Sequence, residues 1–325
     1  MGAKRASGPR AHHFVPQSWL AGFTETGQKT GHLWVTDIEK RKQWQSNPSK
    51  TGKRRDFYRI TGDQLDPAAF EKAFSKIEGL VAPILKKLYE KPRPPLVDEL
   101  EVLLIFAAFQ YVRVPAFRPM VLKMADSIHQ RLMAKALKSR ASWVKAQKKA
   151  GIPVDSPGGS YEDMLEFQRN VIKTGQYSLS AENDWYLMRG FSAAERSIMP
   201  SLRPRRWGAS ISPSGNFIGS DNPVMMDGPP GQLIGFKSAE IVIFPVNRHV
   251  LLYGTRVLVK PPAVTRKVIA RHNTFTMLNA DEYVYSHVPD SCWLDEKGLY
   301  QTDWRLFSKE RFPKQPSAAV IQSFV

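Results

Sequence analysis

Cysteine is almost absent from this chain: Cys292 is the only one in 325 residues. One thiol excludes an intrachain disulfide and every Cys-rich zinc site. With no His motif beside it, Cys292 reads as a small half-buried residue next to Trp293 rather than a nucleophile. Long apolar runs are missing too, and nothing reaches the roughly 18–20 residues needed to span a bilayer. The first thirteen residues, MGAKRASGPRAHH, hold basic residues but no apolar segment, so no signal peptide is expected. Ala6 stands where a myristoylation pattern wants Ser or Thr. No Walker lysine loop, GxGxxG, HExxH or GxSxG occurs, which disfavours P-loop hydrolysis and dinucleotide redox chemistry. A soluble cytoplasmic protein with no membrane partner is the expectation.

Acidic residues are scarce, and unevenly so. The formal net charge is +17. Residues 1–60 carry 12 Lys/Arg against 4 Asp/Glu, and 119–150 carry 8 against 1, while 151–200 reverse the balance at 4 against 7. No acid occurs from Ser127 to Val154. An excess distributed this way favours a polyanionic partner, with nucleic acid the commonest; a solvated basic surface is the plainer alternative. With 42% hydrophobic residues the chain can still bury a proper core.

Periodicity supplies the elements. Leu33 to Asp37 with Trp44 alternates as a short hairpin, and Lys50 to Arg55 reads as a basic loop. From Pro67, capped by Asp66, apolar residues from Phe70 to Leu88 recur at three- and four-residue spacing, predicting a helix that Pro92 stops. Residues from about Asp98 to Val114 form a helix apolar nearly all round, the mark of a core element. Helix is also expected over Met120–Ala150, after a Pro/Gly linker at Pro153–Ser160, and over Asn183–Met199 and Val264–Leu278. Strands are expected at Trp207–Ile211, Phe217–Gly219, Glu240–Pro245 and His249–Gly254. The fold class is α+β, a helix-rich central bundle with short antiparallel strands from the N-terminal and C-terminal parts. Residues 1–11 read as a flexible basic tail, 12–290 as a single domain and 291–325 as an irregular extension.

Chemistry-bearing residues are few. Gln110 and Arg113 share a face of the most apolar helix. A guanidinium there either braces the core against a carboxylate or carbonyls, or meets a phosphate in a cleft. Asp221 in Asp221-Asn222-Pro223 ends a strand, as an active-site carboxylate or as a plain turn former. His12 and His13 precede Pro16, which would open a short helix; an imidazole there could act as acid/base, bind a metal, or simply fix the chain entry. Asn183 and Asp184 are most economically caps. Arg131, Lys135, Lys138, Lys145 and Lys149, near Trp143, make a phosphate-backbone footprint, joined by Lys53, Arg54 and Arg55.

The run His12-His13-Phe14-Val15-Pro16-Gln17 with Leu20 and Phe23, followed by Asp56-Phe57-Tyr58, resembles the prokaryotic family catalogued as domain of unknown function 4238. Phe74-Ser75-Lys76-Ile77-Glu78, Gln110 with Arg113 and Pro115, Asn183-Asp184-Trp185 and Ser220-Asp221-Asn222-Pro223 fit as well. The resemblance spans roughly residues 12–290. Ser18-Trp19 departs from it, where the pattern more usually shows aromatic residues. The resemblance implies one continuous domain and singles out the same polar residues, without naming a reaction.

Two functions follow. One is a phosphodiesterase- or nuclease-like hydrolase: His13 as acid/base, Asp221 as base or ligand to a divalent metal, Gln110 and Arg113 steadying the phosphate. His12, Asn183, Asp184 and Asn222 are its secondary candidates. The alternative is a non-catalytic nucleic-acid-binding protein, or a partner-binding protein of a mobile-element or defence system.

Overall fold

In the computed structural model, residues 10–60, 66, 68–153, 159–172, 174, 177, 180–229, 234–257 and 263–312 are described. Pro67, most of the expected linker at 153–160 and most of the basic tail lie outside them. The chain is α+β, as its periodicities predict. It divides into two compact units, one formed by Met1–Pro115 with Asn183–Val325, the other by Ala116–Glu182.

The first unit begins with β1 (Ala11–His13), which pairs antiparallel with β4 (Lys53–Arg55). The expected basic loop is thus partly a strand, because the opening motif supplies its partner. Between them lie α1 (Gln17–Leu20), β2 (Leu33–Asp37) and β3 (Lys42–Ser46). Pro16 is the N-cap of α1 and not its first residue. Trp19 of α1 is fully buried between Phe23 and Phe244, and its Nε1 donates to the Pro245 carbonyl at 2.9 Å. That contact gives Trp19 a core role.

Next come α2 (Ala69–Glu90) and α3 (Val97–Arg113). Leu96 precedes α3, and its N–H donates to the Glu99 carboxylate at 2.9 Å, satisfying a helix-start donor. Leu103, Leu104, Phe106, Ala107, Ala108 and Val112 of α3 are buried, as expected of a helix apolar all round.

The second unit holds α4 (Phe117–Ala136), α5 (Arg140–Ala150) and α6 (Tyr161–Phe167). The expected continuous basic helix is broken at 137–139. Ser139 caps α5 by accepting from the Ser142 N–H at 3.2 Å, a conformation incompatible with unbroken helix. Gly151, at φ +68°, ends α5 in the left-handed region that suits glycine.

The first unit resumes with α7 (Asn183–Ala193), a π-helical turn over Ala194–Ile198 and α8 (Met199–Leu202). Then follow β5 (Arg206–Ile211), β6 (Gly219–Ser220), β7 (Met225–Asp227), β8 (Ile241–Pro245) and β9 (Val250–Thr255). The chain continues with α9 (Arg266–Asn279), β10 (Tyr283–Ser286), β11 (Trp293–Leu294) and β12 (Tyr300–Gln301). Two four-stranded antiparallel sheets result, ordered β3-β2-β10-β6 and β5-β9-β8-β7.

Strands β8 and β9 are buried along their whole length, which accounts for their unbroken apolar sequence. One side packs Ile241, Ile243, Leu251 and Tyr253 with Ile269 and Phe275 of α9. On β8, Phe244 meets Phe106 of α3 and Trp19. A second core gathers Ile38, Ile218, Met277, Val284, Trp293 and Phe307. Residues after 290 therefore contribute two short strands and two buried aromatic rings.

Candidate functional site

Three of the four proposed catalytic residues gather around one short piece of backbone. Both Gln110 and Arg113 reach from α3 to the opening motif. Gln110 is fully buried and its Nε2 donates to the Phe14 carbonyl at 2.9 Å, while its Oε1 has no partner among the described residues. Arg113, 3% exposed, donates through Nη2 to the His13 carbonyl at 2.5 Å and through Nη1 to Glu78 Oε1 at 2.8 Å. Its Nε donates to the Tyr58 hydroxyl at 3.3 Å, and that hydroxyl donates to the Arg113 carbonyl at 2.9 Å. The guanidinium also lies 4.3 Å from the centre of the Phe74 ring. Each of its three nitrogens is thus engaged inside the protein.

The sequence pattern explains why these partners meet. Glu71, Phe74 and Glu78 are spaced three and four apart on α2 and share the face turned to the motif. Burial raises the Glu71 carboxyl above its ordinary range, against the pull of His12 and Arg113, and its Oε2 has no partner among the described residues. Tyr58 is fully buried, which lifts its phenol to about 12.

The two histidines have different fates. His12 is buried, accepts at Nδ1 from the Tyr58 N–H at 2.8 Å and stacks on the Tyr58 ring. His13 is half-buried, with Nε2 3.4 Å from Gln17 Nε2. Burial lowers its pKa; the Ser49 carbonyl and Glu78 oppose this, and Lys53 and Arg113 add to it.

Asp221 stands apart from this group. It is 2% exposed and accepts from the backbone N–H groups of Asp281 (2.8 Å), Glu282 (2.7 Å) and Tyr283 (2.9 Å), fixing the entry to β10. Burial lifts its pKa to about 6 while the three N–H groups hold it down. No hydrogen bond or ion pair among the described residues joins it to His13, Gln110 or Arg113. Asn222 donates to the Asn279 carbonyl at 3.0 Å and Asn183 to the Arg59 carbonyl at 2.9 Å, both bracing roles. Asp184 is half-buried in the first turn of α7. No group of three or more His, Cys, Asp or Glu side chains among the described residues could hold a metal ion.

The basic residues are disposed quite differently. Arg131 and Lys135 lie on α4, Lys138 in the turn after it, and Lys145 and Lys149 on α5. All five are exposed, and none makes an ion pair among the described residues. In the first unit Lys53, Arg54 and Arg55 are exposed along β4. Arg54 pairs with Glu282 at 2.9 Å, Arg55 approaches Asp56 at 3.5 Å, and the Lys53 ammonium donates to the Ser49 carbonyl at 2.9 Å. Among the described residues, no single helix is long and apolar enough to cross a membrane.

Tyr58 and Glu78 lie in the Asp56-Phe57-Tyr58 and Phe74–Glu78 segments, and only the fold shows that they face Arg113. No curated protein and no solved structure matches the chain. A family model described as "Protein of unknown function (DUF4238)" matches residues 11–290, most of the chain and the whole of the region around Arg113. With that coverage, the chain belongs to the DUF4238 family.

Proposed function

We propose that this protein binds nucleic acid through exposed basic surfaces on α4–α5 and β4, and that the His13–Gln110–Arg113 cluster maintains the fold. The observation that carries this reading is the set of five exposed cations, without an ion pair among the described residues, within an acid-free stretch of 28 residues, 127–154. Such groups suit phosphate contacts, which give affinity and register without reading bases. The burial of Arg113 and the engagement of all three of its guanidinium nitrogens support the second half of the reading. Arg205 offers a precedent within the chain. It is 7% exposed and donates to carbonyls of Ser201, Phe236, Ala239, Glu240 and Gly254, tying α8 and β9 to the turn at 236–240.

A phosphodiester hydrolase is the second reading. It is favoured by His13 and Glu71, whose shifts both move toward the neutral form beside Arg113. One experiment separates the two. Labelled RNA and DNA are titrated with the full chain across a salt series, with Mg2+, Mn2+ or EDTA, and the same samples are run on a gel. Binding that weakens steeply with salt, with a log–log slope of about 0.9 per phosphate contact and no cleavage, is the expected outcome. Cleavage that disappears in a folded His13→Ala variant would establish the hydrolase instead.

A further inference from the structure

A cavity of about 340 Å3 opens beside the segment that the opening motif clamps in place. The Phe14 and Val15 N–H groups both donate to the Gly52 carbonyl, at 2.8 and 3.1 Å. Gly52 itself adopts φ +65°, and a Cβ there would come within 3.0 Å of the Val15 side chain. The motif thus holds the Lys50–Arg54 segment over one face of the sheet β3-β2-β10-β6.

That sheet face carries a cross-strand row. Trp44 of β3 is opposite Val35 of β2, and Val35 is opposite Tyr285 of β10. Directly opposed residues point to the same side of a sheet, and two strand spacings separate Trp44 from Tyr285 by roughly 10 Å. All three line the cavity. Trp44 is 41% exposed, whereas Tyr285 is fully buried. The row therefore runs from a solvent-facing indole to a deep phenol. The Tyr285 hydroxyl has no hydrogen-bond partner among the described residues. Burial, reinforced by the neighbouring Asp221 carboxylate, pushes its pKa well above the ordinary value, so it remains a donor at neutral pH. An unpaired buried donor costs stability unless something meets it.

The rim is cationic. Lys50, Lys53 and Arg54 contribute positive charge, and the one acid in the lining among the described residues, Glu282, is already paired with Arg54. Lys50 makes no ion pair among the described residues. Its size places the cavity at the lower end of small-molecule sites, enough for one nucleotide and too small for a duplex.

We propose that this cavity binds one nucleotide-class group, a planar heteroaromatic ring against Trp44 with its phosphate at Lys50 and Lys53 and a polar atom reached by Tyr285. The choice of a nucleotide over other phosphorylated rings rests on the nucleic-acid reading above; the cavity's preference for a ring bearing an anion does not. The ligand could be a free nucleotide or the phosphorylated end of a strand, and the test separates these sources.

The full chain is titrated by calorimetry with nucleoside monophosphates, the matching nucleosides and inorganic phosphate. A strand carrying or lacking a terminal phosphate is titrated in parallel. Monophosphates should bind at least about tenfold more tightly than either part alone. Trp44→Ala and Lys50→Glu should each weaken them by about tenfold. Tyr285→Phe should leave the unfolding midpoint unchanged or higher, since it removes an unsatisfied hydroxyl, yet weaken the monophosphate by about tenfold. A purely structural tyrosine would not produce that pair of results. Preference for the strand with a terminal phosphate over free nucleotide assigns the strand end; the reverse assigns the metabolite. Changing Arg131, Lys135 and Lys138 together to Glu should leave monophosphate binding intact, so loss of polymer binding alone bears only on α4–α5. No saturable monophosphate binding at millimolar concentration, or binding untouched by both Trp44→Ala and Tyr285→Phe, overturns the proposal.

Discussion

The Arg113 cluster and the α4–α5 surface use the same kinds of charge in opposite ways. Arg113 is nearly sealed, and its guanidinium is divided among Glu78, the Tyr58 hydroxyl and the His13 carbonyl. Arg131, Lys135, Lys138, Lys145 and Lys149 are exposed and make no ion pair among the described residues. The first arrangement engages each guanidinium nitrogen with a partner inside the protein. The second leaves its donors available to a polyanion. Burying a charge obliges the fold to satisfy it, so a buried Arg amid polar neighbours is weak evidence of a phosphate site. Exposed cations impose no such obligation, and the nucleic-acid reading proposed above rests on their accumulation in an acid-free stretch of sequence.

Mutation sharpens the contrast most strongly at Arg113. Arg113→Ala leaves Glu78, the Tyr58 hydroxyl and the His13 carbonyl without the guanidinium they share, and should lower unfolding free energy by about 3–5 kcal/mol in a denaturant titration. Asp221→Ala leaves three backbone N–H groups near β10 without their acceptor and should cost about 3 kcal/mol. A loss below about 0.5 kcal/mol in both variants would break the comparison, since neither side chain would then be holding the fold.

Acidity acts more gently, with opposite signs at two groups. The pKa of His13 is lowered in the folded state, so the unfolded chain takes up its proton first. On its account stability is lost as pH falls below about 6.5, by at most about 1.4 kcal/mol per pH unit. Asp221, raised to about 6, keeps its proton in the folded state where the unfolded chain has released it. Its contribution is present below about pH 4 and is lost as pH rises through 6. Where the two windows overlap, below about pH 6, the two groups therefore oppose each other. Asp221→Asn should steepen the net loss of stability on acidification, and His13→Asn should reduce it, in chemical unfolding at a series of pH values.

The smallest expected effect on stability belongs to the basic surface. Arg131→Glu, Lys135→Glu and Lys138→Glu together should change unfolding free energy by no more than about 0.5 kcal/mol each.

Much of the helical framework was legible in sequence, because a helix announces itself within its own window of residues. α3 was readable from its all-round apolarity, and Gln110 with Arg113 from their three-residue spacing on it. The strands β1, β4 and β10 were not. β1 and β4 have three residues each, and His12 finds Arg54 only through folding. β10 combines with β2, which lies some 250 residues earlier. The same difficulty hid the partners of Arg113. Tyr58 and Glu78 stood in visible motifs, but their meeting with α3 depends on packing. Asp221 looked like a turn residue or a catalytic base, and its acceptors' role toward residues 281–283 lies sixty residues downstream. The row Trp44–Val35–Tyr285 crosses three strands and leaves no trace in any one of them.

The central claim is that affinity for polyanions resides in the exposed cations while the sealed cluster supplies stability. Its most direct test is the salt dependence of nucleic-acid binding by fluorescence anisotropy, comparing the unmodified chain with the variant bearing Glu at positions 131, 135 and 138. The account predicts a slope shallower by roughly 0.9 for each phosphate contact removed, with the unfolding midpoint nearly unchanged. An unaltered slope and affinity in that variant would contradict it.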